Sequence, residues 1–359
     1  LYNYQANSLL FFVLFNFLYN IKTSTKCRTN EISYFWLRMK ADKLYMQRAL
    51  QLAEIGLGST SPNPMVGAVI VWKDQIIGEG YHHQAGHPHA EVEAIRMVKD
   101  QSLLSESTLY VNLEPCNHTG KTPPCTDLIL EHKIPRVVVG QMDPNPLVRG
   151  KGLEKLRGHG VDIHEGRMRN EALELNKRFN TFHTKKRPYI LLKWAKTQDG
   201  YMDLFREPGQ AANPAWITDE YCRMLVHKWR TEENSILVGT RTAELDNPQL
   251  NVRVWTGTSP IRLVLDRINC LPHHLNLFDQ SQETLVFTEK EIPSKPNLEY
   301  IRISPDQNDL DQVLETLYQR NILSVMVEGG SELLSSFIQE NLWDEARVFT
   351  GPGNFGRGV

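Results

Sequence analysis

The sequence predicts two α/β domains in tandem. The chain has 359 residues, more than one ordinary domain holds and comfortable for two. Short apolar runs of strand length alternate with amphipathic runs of helix length, first over residues 41–166 and again from residue 188 onward. A basic stretch at His183–Arg187 falls between the two series and reads as a linker.

The segment ADKLYMQRALQLAEIGLG (41–58) has apolar residues at helical spacing and closes on Gly56 and Gly58, so a helix is expected there. SPNP (61–64) is a turn. MVGAVIVW (65–72) is a buried strand, and QIIGEGY (75–81) reads as its hairpin partner. Helix AEVEAIRMVKD (90–100), strand STLYVNLEP (107–115), helix CTDLILEHKI (125–134), strand RVVVGQMD (136–143), helix GKGLEKLRGHG (150–160) and a last strand in VDIHEG (161–166) follow. MRNEALELNKRFNTFHTKKRP (168–188) is helical, then basic. The second series has strands in PYILLKWAK, SILVGT, IRLVLD, ETLVFT and SVMVEGG, with helices at 310–320 and 332–340. Strands alternating with helices imply open sheets covered on both faces. No internal repeat or low-complexity tract interrupts the pattern.

Bulk composition narrows the function class. A formal net charge of −2 carries no basic excess to advertise a groove for nucleic acid or a contact with an anionic membrane, and it suits a small-molecule substrate. The five cysteines, Cys27, Cys116, Cys125, Cys222 and Cys270, are sparse and odd in number, which argues for a reducing compartment and a cytoplasmic protein. The apolar run SLLFFVLFNFLYN near the start is too short to span a bilayer and lacks signal-peptide features. Residues 1–38 therefore read as a non-native or disordered extension, with Met39 as the natural start.

Two stretches carry chemistry: HAEVEAI (89–95) and NLEPCNHTGKTPPC (112–125). His89, Cys116 and Cys125 form a borderline-soft ligand set that suits zinc, and three protein ligands leave the fourth tetrahedral position to water. Zinc lowers the pKa of that water. Glu91, two residues after His89, is placed to shuttle its proton. H-x-E followed by P-C…C is the signature of zinc-dependent base deaminases, here with a longer cysteine spacing. The alternative is a structural site completed by a fourth ligand, for which His118 is placed. A second alternative keeps the deaminase chemistry with another nucleoside or a tRNA base as substrate.

TSPNPMVGAVIV, GEGYHHQAGHPHAEVEAI, NLEPCNHTGKTPPCTDLI and DPNPLVRGKGLEKLRGHGVDI together resemble the deaminase half of the bifunctional riboflavin-biosynthesis deaminase/reductase family. The resemblance runs from about Met39 to the end of the chain. It implies a cytidine deaminase-like three-layer α-β-α domain over 39–183, with one catalytic Zn2+ on His89, Cys116 and Cys125 and Glu91 as proton shuttle. It also implies that Asn63 and His82 meet the pyrimidine; both are side chains able to hydrogen-bond a base edge. Lys121, inside the cysteine loop, is a further candidate for a substrate phosphate.

In the second half, RPYILLKWAKTQDG, WITDEYCRMLVHKWR, ILVGTRTAELDNPQLNVR and VEGGSELL resemble the family's reductase, which has a dihydrofolate reductase-like α/β fold and uses NADPH. No G-x-G-x-x-G is present. The resemblance implies a reductase domain over 188–359, with Ala195, Trp216, Thr242, Asp246 and the segment from Gly330 and Ser331 to Ser336 at the cofactor. Arg230, Leu250, Arg253 and Glu328 fall on its substrate positions. Arg230 and Arg253 are expected to fork onto a ribose phosphate, and Arg267 to meet the 2′-phosphate of the cofactor. Two departures stand out. Pro214 and Ala215 precede Trp216 where the family often carries a Ser, and the family pattern continues beyond Val359, so the reductase is expected to be truncated. The partner implied is a small phosphoribosyl-pyrimidine, with no nucleic acid and no membrane, in a homo-oligomer, expected to be a dimer.

Overall fold

Continuous apolar strands dominate the second half of the chain, and they form one sheet. The structure is a computed structural model and describes residues 25–118, 123–146, 148–205 and 216–359, with side chains from residue 38. The chain divides into two compact units, residues 1–45 and 46–359. Among the described residues the first unit is the leading part of helix α1 (Thr25–Glu54). That helix starts fourteen residues before the expected Met39, because no Gly or Pro lies between Thr25 and Glu54 to stop it. Within the stretch 1–38, expected as a non-native or disordered extension, residues 25–38 are helical; residues 1–24 lie outside the described residues.

The second unit contains two sheets. The first has five strands in the order β2-β1-β3-β4-β5: β1 (Gly67–Trp72), β2 (Gln75–Tyr81), β3 (Thr108–Leu113), β4 (Arg136–Gln141) and β5 (Asp162–Glu165). β1 and β2 are an antiparallel hairpin whose two turn residues, Lys73 and Asp74, both have positive φ, the requirement of a tight hairpin turn. β3, β4 and β5 run parallel, β4 being reached through helix α3 (Cys125–Glu131) and β5 through α4 (Lys151–Gly158). Helix α2 (Ala90–Met97) lies directly on the hairpin. A Cβ at Gly78 would stand 2.3 Å from the Ala94 carbonyl, and one at Gly80 2.5 Å from the Ala94 nitrogen, so only glycine lets this helix come so close. The core beneath it is Ala68, Ile70, Ala90, Ala94, Ile95, Val111, Ile129, Val137, Val139, Leu153 and their neighbours.

α5 (Arg169–Leu175) and α6 (Lys177–Lys185) connect the sheets, and Arg187 at the end of the connector forks onto Asp344. The second sheet has seven strands, all parallel to their neighbours, in the order β10-β9-β8-β7-β11-β6-β12. They are β6 (Tyr189–Lys196), β7 (Ser235–Gly239), β8 (Ile261–Leu265), β9 (Thr284–Thr288), β10 (Leu298–Arg302), β11 (Ser324–Glu328) and β12 (Glu345–Thr350). Helices α7 (Glu220–Glu232), α8 (Thr240–Asp246), α9 (Asp309–Gln319) and α10 (Ser331–Gln339) accompany them. Alternate residues of one strand feed opposite faces: Ile190 and Leu192 join one core cluster, Tyr189 and Leu191 the other. A parallel sheet buried on both faces needs such uniformly apolar strands. The two strands that the apolar pattern does not single out, β10 and β12, are the sheet's edges; β12 alternates half-buried and exposed residues, with no continuous apolar run to read. No described helix is long and apolar enough to cross a membrane.

Candidate active sites

The first site lies where β3 and β1 hand over to loops and helices. His89 is the residue before α2, with extended backbone (φ −75°, ψ 162°) and no side-chain bond capping the helix, so its imidazole is available elsewhere. β3 ends at Leu113 and delivers Cys116 three residues on, and Cys125 opens α3. The His89 Nδ1 stands 3.3 Å from Cys125 Sγ and 3.5 Å from Cys116 Sγ, and all three ligand atoms lie within 4.8 Å of one another. Tetrahedral zinc at its usual ligand distances of about 2.0–2.3 Å sets its ligand atoms about 3.5 Å apart, so these donors fit the metal. His118, the candidate fourth ligand, is exposed and outside this group, which disfavours the closed structural site.

The charges agree with a cation. The neighbouring Cys125, whose backbone N–H donates to the Cys116 Sγ at 3.3 Å, and the His89 ring hold the Cys116 thiol well below its ordinary range. Glu91 is 3% exposed and faces both sulfur and imidazole. Burial raises its carboxyl to about 7, the Cys116 charge adds to this, and His89 opposes it.

Asn63 and His82 meet beside these groups. The His82 ring stands edge-on to the His89 ring, centroids 5.6 Å apart. Its Nδ1 is 3.1 Å from the Pro88 carbonyl, which can only accept, so Nδ1 carries the proton. Nε2 is then the acceptor for the Asn63 Nδ2, 3.0 Å away. Burial lowers the His82 pKa and keeps the ring neutral. That bond uses one amide proton of Asn63 and not its Oδ1. Glu114 and Asp143 escaped the sequence reading. The Glu114 carboxylate accepts from the backbone N–H of Asp143 (3.1 Å), Gly150 (2.9 Å) and Gly152 (3.1 Å), and so ties those three residues together two positions before Cys116. A buried Glu directly before Pro-Cys was the available signal. Lys121 lies outside the described residues.

The second site is a cavity of about 930 Å³ at the carboxyl ends of β6, β7, β8 and β11, where open parallel sheets bind ligands. Its wall contains Ala195, Trp216, Thr242, Asp246, Arg267, Gly330 and Ser331, with Arg230, Leu250, Arg253 and Glu328; of the expected segment 330–336, Leu334 and Ser335 are not in it. Gly329 and Gly330 have φ of +82° and +72°, and a Cβ on either would meet Thr242 at 3.0 Å. Gly330 also heads α10 without a side-chain cap, leaving backbone N–H groups for a phosphate. The glycine turn, the helix head and the size of the cavity fit a dinucleotide such as NADPH. Gly330→Ala should therefore raise the KM for NADPH by about tenfold or more, since a strained backbone costs about 1–3 kcal/mol; steady-state NADPH oxidation measures it, and ammonia release should not change.

Two of the expected arginines already have carboxylate partners. Arg230 does not present a fork to a phosphate: its guanidinium is bidentate on Glu328 at 2.9 and 2.9 Å, with a third bond to the Asn251 carbonyl at 3.0 Å. A buried carboxylate this close takes both prongs. Arg253 is exposed in the wall, bonded to Asn251 Oδ1 at 3.0 Å, and keeps donors for an anion. Arg267 reaches the wall, but its guanidinium pairs with Glu289 at 2.7 Å and Asp309 at 3.4 Å, which blunts it as a 2′-phosphate contact. Lys193, 3.9 Å from Glu328, and the buried His227 line the same cavity and were missed; a Lys inside the apolar strand YILLKWAK was the readable sign. Pro214 and Ala215 lie outside the described residues.

Comparison with known proteins agrees with this arrangement. The model of the cytidine and deoxycytidylate deaminase zinc-binding region matches residues 39–141, and that of the RibD C-terminal domain matches 188–359. The riboflavin biosynthesis protein RibD of Aquifex aeolicus is 42% identical over 324 residues, covering 89% of each chain. The chain belongs to the RibD family. The Escherichia coli RibD is 36% identical over 339 residues, with 89% of this chain and 90% of that protein covered. The solved structure of a Thermotoga maritima diaminohydroxyphosphoribosylaminopyrimidine deaminase/5-amino-6-(5-phosphoribosylamino)uracil reductase superposes with a TM-score of 0.81 at 41% identity, over 90% of both chains. RibD of Acinetobacter baumannii gives 0.80 at 36% identity, over 89% of this chain and 90% of that one. As a RibD enzyme the protein works in riboflavin biosynthesis, a zinc-dependent deaminase joined to an NADPH-dependent reductase.

Proposed function

We propose that the first site converts 2,5-diamino-6-(5-phosphoribosylamino)pyrimidin-4(3H)-one and water to 5-amino-6-(5-phosphoribosylamino)uracil and ammonia, and that the second reduces the ribosyl group of that product to a ribityl chain. The observation that supports the first step most directly is the convergence of His89, Cys116 and Cys125 on one point with the buried Glu91 beside them. When bound there, zinc supplies a water acidified to near neutrality. Glu91 takes a proton from that water and returns one to the departing amine. Asn63, oriented by the neutral His82, holds the pyrimidine edge so that the carbon bearing the amine faces the water.

In the second site NADPH supplies the hydride. Thr242, Gly330 and Ser331 hold it, with Ala195, Trp216, Asp246 and Arg267 along its length. Arg253 takes the substrate phosphate, while the Arg230–Glu328 pair and Leu250 shape the sugar's place. The two domains are bounded near 39–183 and 188–359. The enzyme acts in the cytoplasm as a homodimer on this small molecule, without nucleic acid. Its sparse cysteines and its net charge of −2 support that reading.

The test uses the full chain and the diaminopyrimidinone phosphate. Ammonia release is expected, lost on chelation and restored by Zn2+, and NADPH oxidation should follow when the deaminated product is supplied directly, chelated or not. Absence of ammonia release from the zinc-loaded chain would overturn the substrate assignment.

A further inference from the structure

Asn176 follows α5 and heads α6, a position from which an Asn side chain ordinarily caps its own helix. It makes no such bond. Its amide instead reaches Met65: Oδ1 accepts from the Met65 N–H at 2.8 Å, and Nδ2 donates to the Met65 carbonyl at 2.9 Å. Asn112, in the otherwise apolar β3, completes the clasp. Its Nδ2 donates to the same carbonyl at 3.0 Å, and its Oδ1 accepts from the Gly67 N–H at 2.8 Å. Both asparagines are buried, at 2% and 0% exposure, so water does not stand in for either.

The clasped segment carries both base-facing residues. Asn63 lies two positions before Met65, and the Val66 carbonyl accepts from the His82 N–H at 2.9 Å. Asn176 lies well beyond residue 141, where the match to the zinc-binding region ends. Its helix is braced on the second sheet's side of the molecule. Lys177 bonds Glu345 at 2.7 Å, and Arg178 donates to Glu233 at 2.8 Å. Glu233 directly follows α7, the helix that carries Arg230.

We propose that Asn176 is a positioning residue for the deamination: through Met65 it sets the place of Asn63 and His82 against the pyrimidine, with Asn112 as the fixed half of the clasp. The connector between the sheets is then part of the deaminase site's scaffold. A side chain that leaves its own helix uncapped in order to hold a distant backbone is explained by the need for precision at Asn63, since small displacements of binding groups cost large factors in rate or affinity. This rests on the assignment of Asn63 to the pyrimidine.

The experiment compares N176A, N176D and N63A in the full zinc-loaded chain. N176A should raise the deaminase KM about tenfold while kcat stays within about threefold, as expected for one lost buried bonding partner that acts on binding alone. Zinc content and NADPH oxidation should equal the parent's. N176D keeps an acceptor for the Met65 N–H but, lacking the amide donor, sets its second oxygen against the Met65 carbonyl, so its KM should lie between those of the parent and N176A. It also carries the test if N176A does not fold, its KM then lying between those of the parent and N63A. An unchanged KM in N176A beside a raised KM in N63A overturns the inference. So does a joint fall of kcat, zinc content and NADPH oxidation in both Asn176 variants, which marks a purely structural role. An unchanged KM in N63A overturns the assignment of Asn63 itself.

Discussion

Replacing Glu91 with Gln is expected to slow ammonia release by about 10²–10⁴-fold, the usual contribution of a positioned general acid–base group. Gln keeps the shape and part of the hydrogen bonding but cannot take up and return a proton. Glu91 is 3% exposed, so buffer cannot replace it from solution. The Cys116 and Cys125 sulfurs and the His89 ring are untouched by the change, and the variant should hold one equivalent of zinc. NADPH oxidation with the deaminated product should be normal, because Glu91 does not line the second cavity. Ammonia release and metal content on one preparation decide the matter. A residual rate within about tenfold of the parent would remove Glu91 from the proton-transfer role.

Replacing Glu328 with Ala is expected to cost about 3–5 kcal/mol of stability, the range for breaking a buried ion pair from one side. The Arg230 guanidinium, 8% exposed, would keep its charge and lose its bidentate partner, and Lys193 would lose its neighbouring carboxylate. NADPH oxidation should fall with it. Denaturant unfolding at neutral pH measures the loss, with ammonia release reporting on the first site. The pH dependence has a definite sign. Burial alone would raise the Glu328 carboxyl, but Arg230 and Lys193 outweigh it and bring it from the ordinary 4.5 to about 2. A carboxylate whose pKa is depressed by folding contributes stability that is complete above the unfolded value and is lost as pH falls through the folded one. The parent should therefore lose this contribution between about pH 4.5 and 2. Glu328→Ala should lack that part of the slope. A variant as stable as the parent at pH 7 would contradict the pair's role.

Much of both sites was legible because the chemistry there uses few residue types. His89-x-Glu91 and the Pro-preceded Cys116 could be read as a zinc set from ligand preference alone. The uniformly apolar strands Ile261–Leu265 and Thr284–Thr288 could be read as buried on both faces. What stayed hidden depends on contacts between residues far apart in the chain. Arg230 looked like a phosphate ligand until Glu328, 98 residues away, was found beneath it. Arg267 looked available until Glu289 and Asp309 were found against it. The edge strands β10 and β12 escaped because an edge is half-solvated and shows no continuous apolar run.

The sequence by itself determined the alternation of strands and helices, the tandem α/β organisation and the identity of the zinc donors. Each of these follows from local periodicity or from the intrinsic affinity of a side chain, properties a residue carries wherever it lies. Only the tertiary structure decided which charges were already paired, which glycines faced Thr242, and that Asn112 and Asn176 hold the backbone beside Asn63. Those are properties of partners brought together across up to 168 residues of chain, and hydrogen bonds and ion pairs act only over a few ångströms once folding has brought their groups into reach.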